Sequence, residues 1–380
     1  MMERQGLPRV TYLSVDPVTS TVGASQVLAY VERLAERGVG VDLHSFEHHV
    51  DEAIAADLSR HGVVWTPHRF GGNGARAGFG RVARLARSIR GADLVHARSD
   101  MAAAAAMWSG AERWLWDVRS FWADQKVATG VFSARSTQAW VFQRIERRAA
   151  VGSRHVVALT QSAIDELDQR YGGVVGPKAT VVTTCVDRRR FKPAPMPSRG
   201  PVRLLLAGTL NRFYDVPTML DLVAELRTRR PVELLVASPG GTDWDPELES
   251  VGAVRTSATP GEMPALIASC HAGLSVCRDD AGISLVAAMP TKIGEFLAVG
   301  RPVIVNSGLV DAASMVDGAD AGVVVDASAR DLDAAATRLL ELLDDDATPG
   351  RATGLAAGFF DLDAGVDKLL EVYRRISVGR

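Results

Sequence analysis

Lys292 and Glu295 stand three residues apart in the stretch PTKIGEFLAVGRPVI, residues 290–304. An ammonium is a compact positive charge suited to phosphate. A carboxylate accepts two hydrogen bonds at once, which suits the vicinal hydroxyls of a ribose. Pro290 fits the first turn of a helix, where its missing N–H costs nothing, and Gly300 fits a left-handed C-terminal cap. The predicted helix between them would point a partially positive N-terminus at an anion. The same spacing also fits an i,i+3 ion pair on a solvated helix face. Lys292 is one of only five lysines beside 38 arginines, so its retention is informative.

A second stretch, VRLLLAGTLNRFYDVPTMLDLV (residues 202–223), reads as strand, Gly208, polar turn, then helix. A glycine directly after a buried strand lets the backbone approach a ligand closely. Arg212 in the turn can make bidentate contacts to a diphosphate. The chain has no G-x-G-x-x-G and no Walker sequence, so neither a nicotinamide-binding fold nor a P-loop ATPase is supported.

Positioning such groups takes strands that end at one edge of a sheet. Short β-branched runs alternate with helical periodicity, which predicts an α/β chain with parallel sheets. The expected strands of the first half cover 9–15, 39–46, 92–96, 113–118, 155–159 and 179–183, with amphipathic helices over 25–37 and 138–150. The second half restarts the pattern. Strands are expected at 202–207, 232–237, 272–277, 302–306 and 321–325, and helices at 216–229 and 262–270. With 380 residues and 47% hydrophobic content, two domains with sizeable cores are expected. The seam is placed at 191–201, FKPAPMPSRGP, where four prolines predict a stiff extended linker. Domains over 1–190 and 202–355 follow, with a C-terminal segment 356–380 whose helix, about 364–376, returns to the first domain. Ligands of two such doubly wound domains are expected at the carboxyl ends of the strands.

The net charge of −2 hides an asymmetry. Residues 1–190 hold 25 Lys+Arg and 19 Asp+Glu, a balance of +6, and the remainder holds 18 and 26, a balance of −8. A basic front half suits an anionic partner such as a phosphorylated lipid or a membrane surface, and equally fits a chance partition of surface charge. Within it, residues 71–80 carry five glycines and predict a mobile loop, followed by arginines at 81, 84, 87 and 90. A basic amphipathic helix over 78–91 fits peripheral contact with an anionic membrane, or an ordinary solvated face. Nucleic acid is not expected, because the overall charge is slightly negative and no recognition motif appears. Cys185, Cys270 and Cys277 form no C-x-x-C and read as free thiols rather than metal ligands. No run of about 18 apolar residues and no apolar leader is present, which predicts a cytoplasmic protein.

Three stretches together resemble family-4 glycosyltransferases of GT-B architecture: PTKIGEFLAVGRPVI, VVTTCVDRRRFKP (residues 181–193) and LAGTLNRFYDVPTMLDLV. WDVRSFWADQ (residues 116–125) resembles the D-x-R-G-F-W-A-D-E segment of a bacterial branch. STVGASQVLAYVERLAERG resembles the first glycine loop and helix. The resemblance covers nearly the whole chain in order. It implies two Rossmann-like domains, the first for acceptor and the second for a nucleotide-diphosphate sugar. It also implies sugar transfer with retention and without a metal or other cofactor. On that pattern Arg212 and Lys292 would neutralise the sugar-donor diphosphate and stabilise the leaving nucleotide. Glu295 would hold the ribose, Gly208 and Asn211 would line the turn, helix-start amides at Thr291 would cradle phosphate, and Gly23 would approach the diphosphate from the first domain.

The pattern is broken in three places. Ala287 stands where a sugar-contacting glutamate is expected, with Asp279 or Asp280 as candidate substitutes. Phe213, Tyr214 and Asp215 replace a lysine after Arg212, a charge that Lys292 would supply. Arg119 falls near a slot often held by histidine. An arginine stays protonated and cannot act as a base, but it could hold an anionic acceptor or phosphate, with Asp117 or Asp124 orienting it. Arg119 beside Asp117 also fits a structural pair. Trp122 is the candidate aromatic lining residue for an acceptor, which would be a carbohydrate, a lipid-linked sugar or a secondary metabolite. A catalytically degenerate nucleotide-binding protein and a nucleotide-sugar epimerase are the alternatives.

Overall fold

The structure is a computed structural model that describes residues 8–198, 200–211, 213–326 and 331–378. They form two compact units, residues 8–183 with 362–378, and residues 184–361.

The first unit holds seven strands: β1 Val10–Ser14, β2 Val41–Glu47, β3 Val64–Arg69, β4 Leu94–Arg98, β5 Trp114–Val118, β6 His155–Ala158 and β7 Ala179–Val181. They pair in parallel in the order β3-β2-β1-β4-β5-β6-β7. Every residue of β1, β4, β5 and β6 is buried, as parallel strands covered on both faces must be. β3 was not expected from the sequence. It is an edge strand, half of its residues are exposed and none is buried, and it carries Pro67, which an edge tolerates.

The expected helix over 25–37 is entered through a wider turn. A short helical turn, Thr21–Gly23, leads into a π-type segment, Ala24–Leu28, and then the α-helix Ala29–Glu36. The glycine-rich stretch 71–80 is not wholly loop. The helix Ala75–Ser88 already includes Gly78 and Gly80. Gly78 faces the neighbouring helix Asp100–Ser109, where a Cβ would meet Met101 at 3.6 Å, an ordinary contact distance.

The second unit holds β8 Val202–Ala207, β9 Val232–Ala237, β10 Val254–Arg255, β11 Ala272–Ser275, β12 Val303–Asn306 and β13 Gly322–Val325. Their order is β10-β9-β8-β11-β12-β13, again all parallel. Leu204, Leu206, Leu234, Val236, Leu274 and Ile304 form the centre of its core. In both sheets the chain order reverses at one place, between β1 and β4 and between β8 and β11. The crevice outside the carboxyl ends of such strand pairs is where open α/β sheets take their ligands.

The units divide elsewhere than the expected seam. The chain changes unit at 183/184 and again at 361/362, so residues 191–201 run along the second unit. The reason lies in the carbonyls of this segment, which accept hydrogen bonds from a side chain of the second unit. The fully buried Arg301 donates to the carbonyls of Ala194 at 2.9 Å and Pro195 at 2.7 Å, and to that of Ala268 at 2.7 Å. The final helix runs Leu362–Val378, longer than expected, and belongs to the first unit.

Candidate functional site

At the switch point of the second unit, β8 ends in Gly208, whose φ of +97° is a left-handed conformation that side chains resist. The turn that follows is pinned to the end of β11. Asp215 N–H donates to the Val276 carbonyl at 3.0 Å, and Tyr214 bridges Cys277. Asp215 then caps the helix Val216–Arg227 by accepting from Thr218 N–H and Oγ1 at 3.2 and 2.7 Å. Asn211 spends its carboxamide oxygen inside the turn, accepting from Phe213 N–H at 2.9 Å. Arg212 lies outside the described residues.

The helix Thr291–Val299 aims its N-terminus at the same place. Pro290 is its N-cap with extended backbone, one position earlier than expected, and Gly300 closes it with φ +86°. Two glycines seat it. A Cβ on Gly273 of β11 would lie 2.3 Å from the Phe296 ring, and one on Gly294 would lie 2.8 Å from Phe360. Thr184 Oγ1 donates to the Met289 carbonyl at 3.0 Å and fixes the approach to the helix.

Lys292 is not at a solvated helix mouth but 8% exposed. Its Nζ lies 4.0 Å from the centroid of the Tyr214 ring and 3.5 Å from where a Gly208 Cβ would be. It has no hydrogen-bond partner among the described residues, and no ion pair joins it to Glu295. Burying an ammonium with only an aromatic face beside it is unfavourable unless an anion completes the site. Glu295 keeps part of its surface open while its carboxyl sits deep. Burial pushes its pKa up to about 7 against the opposing pull of Lys292 and Arg190. Ala287 is 1% exposed, so that position faces the core. Asp279 and Asp280 are both engaged, the first accepting from Asn306 Nδ2 at 2.9 Å and the second pairing with Arg278.

In the first unit the switch point lies between β1 and β4. Gly23 is required there by crowding rather than by its backbone angles: a Cβ would sit 2.1 Å from the Pro17 carbonyl oxygen. The buried Glu47 holds that loop, accepting from Val18 N–H at 2.9 Å and from Thr19 Oγ1 at 2.8 Å. Arg98, at the end of β4, is buried and donates to Asp16 at 2.6 Å and Gln26 at 2.9 Å. The sequence reading missed Arg98, although its place at the carboxyl end of a buried strand was a usable signal.

Asp117 and Arg119 are brought together. The fully buried Asp117 accepts from Arg119 Nε at 3.0 Å and from His96 Nε2 at 3.1 Å. Burial works against its charged form, but Arg119 and then His96 outweigh it and hold its pKa below the usual carboxylate range. Burial lowers the pKa of His96, which stays neutral with its Nδ1 facing the Tyr373 hydroxyl at 2.7 Å. Arg119 remains charged, because Asp117 more than offsets its burial. Its Nη1 has no hydrogen-bond partner among the described residues.

Asp124 does not orient Arg119. It accepts from Arg170 Nη1 at 2.8 Å, in a cluster with Glu146, Glu166 and Tyr171. Trp122 packs into an aromatic group, with ring centroids 4.1 Å from Phe142 and 5.5 Å from Phe132. Among the described residues no group of three or more His, Cys, Asp or Glu is placed to hold a metal ion.

Residues 23–190 match the protein family described as Glycosyltransferase Family 4. No curated protein sequence matches the chain. Solved structures match over nearly its whole length. A glycosyltransferase from Rickettsia africae superposes with a TM-score of 0.70 at 15% identity, covering 98% of this chain and 100% of its own. Sucrose-phosphate synthase from Thermosynechococcus elongatus gives 0.72 at 14%, covering 97% and 99%. Anabaena HepE, solved with UDP-glucose, gives 0.71 at 15%, covering 97% and 100%. The fold is GT-B, two parallel-sheet Rossmann-like units.

Proposed function

We propose that the chain is a glycosyltransferase that moves a sugar from a nucleotide diphosphate to an acceptor hydroxyl, with retention of configuration. One observation carries this reading: the buried Lys292 ammonium, unpaired among the described residues, beside Gly208 at the switch point of the second sheet. The diphosphate of the sugar donor would complete its coordination, with the first turn of the 291–299 helix, including Thr291, adding backbone N–H groups. In the reaction the bond from the anomeric carbon to the phosphate oxygen breaks as the acceptor oxygen bonds to the same face of that carbon, and the acceptor hydroxyl's proton passes to the departing phosphate oxygen. Negative charge then grows on the leaving diphosphate, where Lys292 stabilises it. Glu295 would accept from ribose hydroxyls, and a ribose pair is a good match for a carboxylate that the protein leaves without an ion pair. Asn211 and Arg212 would complete the nucleotide side.

In the first unit Arg119 would hold an anionic group of the acceptor, with Asp117 keeping the guanidinium in place. Gly23 lets its turn pack against Pro17 and Val18, where any side chain would clash. Trp122 and Asp124 are weaker acceptor candidates, since each already has protein partners. The family match over 23–190 and the likeness to HepE, which binds UDP and UDP-glucose, support trying uridine diphosphates first.

A thermal-shift panel of nucleosides, nucleoside diphosphates and nucleotide sugars tests the reading. Ligand stabilisation follows mass action. Lys292→Ala should weaken diphosphates far more than nucleosides, whereas Glu295→Ala should weaken both. No stabilisation of the parent by any nucleotide, or equal responses from parent and variants, would remove the assignment. Binding without transfer to any acceptor extract would instead favour a non-catalytic binder.

A further inference from the structure

The helices Ala75–Ser88, Asp100–Ser109 and Thr137–Gly152 lie side by side in the first unit. Together they carry seven arginines and two carboxylates, Asp100 and Glu146, and both carboxylates are buried. Six of the arginines are exposed: Arg76, Arg84, Arg87, Arg144, Arg147 and Arg148. Arg81 is not part of this exposed set, because it lies over the Phe70 ring and donates to the Gly72 carbonyl at 2.7 Å.

Large aromatic side chains stand among these charges. Phe79 is 66% exposed, Trp108 53% and Trp140 56%. Phe79 and Trp108 meet with ring centroids 5.2 Å apart. Trp108 and Trp140 both line one open groove of about 820 Å³, floored by Met107, Val141 and Ile145. The Arg144 guanidinium lies 5.0 Å from the centre of the Trp140 ring, and Arg148 stands at the same groove. Exposed indole and phenyl rings cost free energy in water, and a soluble surface seldom groups them.

We infer that this three-helix face docks on an anionic lipid bilayer. The aromatic rings would enter the headgroup boundary, where Trp is favoured, and the arginines would pair with lipid phosphates. Charge selects this occupant: the exposed face of these helices offers cations without a single exposed carboxylate, whereas a second copy of the same face would set cation against cation. The exposed arginines and aromatic rings of this face are none of the residues assigned to the candidate site, so the inference does not depend on the proposed reaction.

The full chain is mixed with vesicles of phosphatidylcholine alone or with about one-third phosphatidylglycerol, and the bound fraction is read by sedimentation. Binding to the anionic vesicles alone, falling as salt shortens the screening length, is expected. Arg144→Glu with Arg148→Glu should weaken it by at least ~25-fold, about fivefold for each arginine lost. Trp108→Ser with Trp140→Ser should weaken it independently of salt, and both variants should keep the parent's response to nucleotides. Equal binding to both vesicle types, or unchanged binding by both double variants, overturns the inference. So does a concentration-dependent dimer that the tryptophan variant abolishes, since the occupant would then be a second copy.

Discussion

The Tyr373 hydroxyl donates to His96 Nδ1 across 2.7 Å. Because Asp117 can only accept, His96 Nε2 must carry the imidazole proton, and the neutral ring's Nδ1 must accept. Asp117 thereby sets the tautomer of the imidazole that helps to hold it, and a residue of the final helix satisfies the other ring nitrogen, while Asp117 in turn holds Arg119.

Tyr373→Phe keeps the ring and removes the donor. His96 Nδ1 is then left buried without a partner, at a cost of about 1–3 kcal/mol. The urea midpoint should fall, with the slope unchanged. A midpoint equal to the parent's would mean that the hydrogen bond contributes nothing.

Asp117→Asn should be the more damaging change. It leaves the buried Arg119 guanidinium uncompensated, which costs roughly 3–5 kcal/mol. Combined with Tyr373→Phe the loss should be less than the sum, because both variants act on one network. Strict additivity in the double-mutant cycle would refute the coupling.

Tyr214→Leu removes the aromatic face beside Lys292. Cation–π contacts contribute roughly 0.5–2 kcal/mol depending on desolvation. Without the ring the ammonium is less well positioned, so nucleoside diphosphates should bind several-fold more weakly while nucleosides are unaffected. Calorimetric titration of both ligand types distinguishes this from general loss of structure.

Glu295 makes stability depend on pH. Its pKa is raised from 4.5 to about 7 by burial, so the folded state holds the proton more tightly than the unfolded chain. The favourable contribution is complete below pH 4.5 and is lost as pH rises through about 7. Glu295→Gln should therefore be more stable than the parent at pH 8, by up to roughly 2–3 kcal/mol. The difference should shrink toward pH 4.5, where the parent's own carboxyl is neutral. Parallel stability curves for parent and variant across this range would contradict the assignment.

Gly294→Ala would place a Cβ 2.8 Å from Phe360 and 2.9 Å from Val186. Overpacking of this kind costs about 1–3 kcal/mol. Thermal unfolding should shift down, and nucleotide stabilisation should weaken as the 291–299 helix is displaced. An unshifted transition would show that the neighbours yield.

Much of the second unit could be read from the sequence, because its groups lie close along the chain. Gly208 follows its own strand, and Lys292 and Glu295 share one helix. The burial of Lys292 could not be read, since it depends on Tyr214 folding in from a different turn. That tyrosine belongs to the run standing where a lysine was expected, and it presents an aromatic face to the lysine retained elsewhere. In the first unit nearness along the chain served only in part: Asp117 pairs with Arg119, two residues on. Asp124 lies five residues from Arg119 but folds against Arg170, while Asp117 bonds His96, from the neighbouring strand. Strand β3 escaped because an edge strand with Pro67 lacks the apolar signal of its buried neighbours.

The final helix has a consequence for synthesis. It brings Tyr373 to His96, and Asp363 to Arg33 and Arg37 of the helix Ala29–Glu36 and its cap, so the first unit is built from both ends of the chain. A ribosome delivers its sheet well before its closing helix. Until residues 362–378 emerge, the nascent first unit waits with a vacant helix berth, while residues 184–361 are already contiguous and able to collapse. The first unit thus begins before the second and is completed after it.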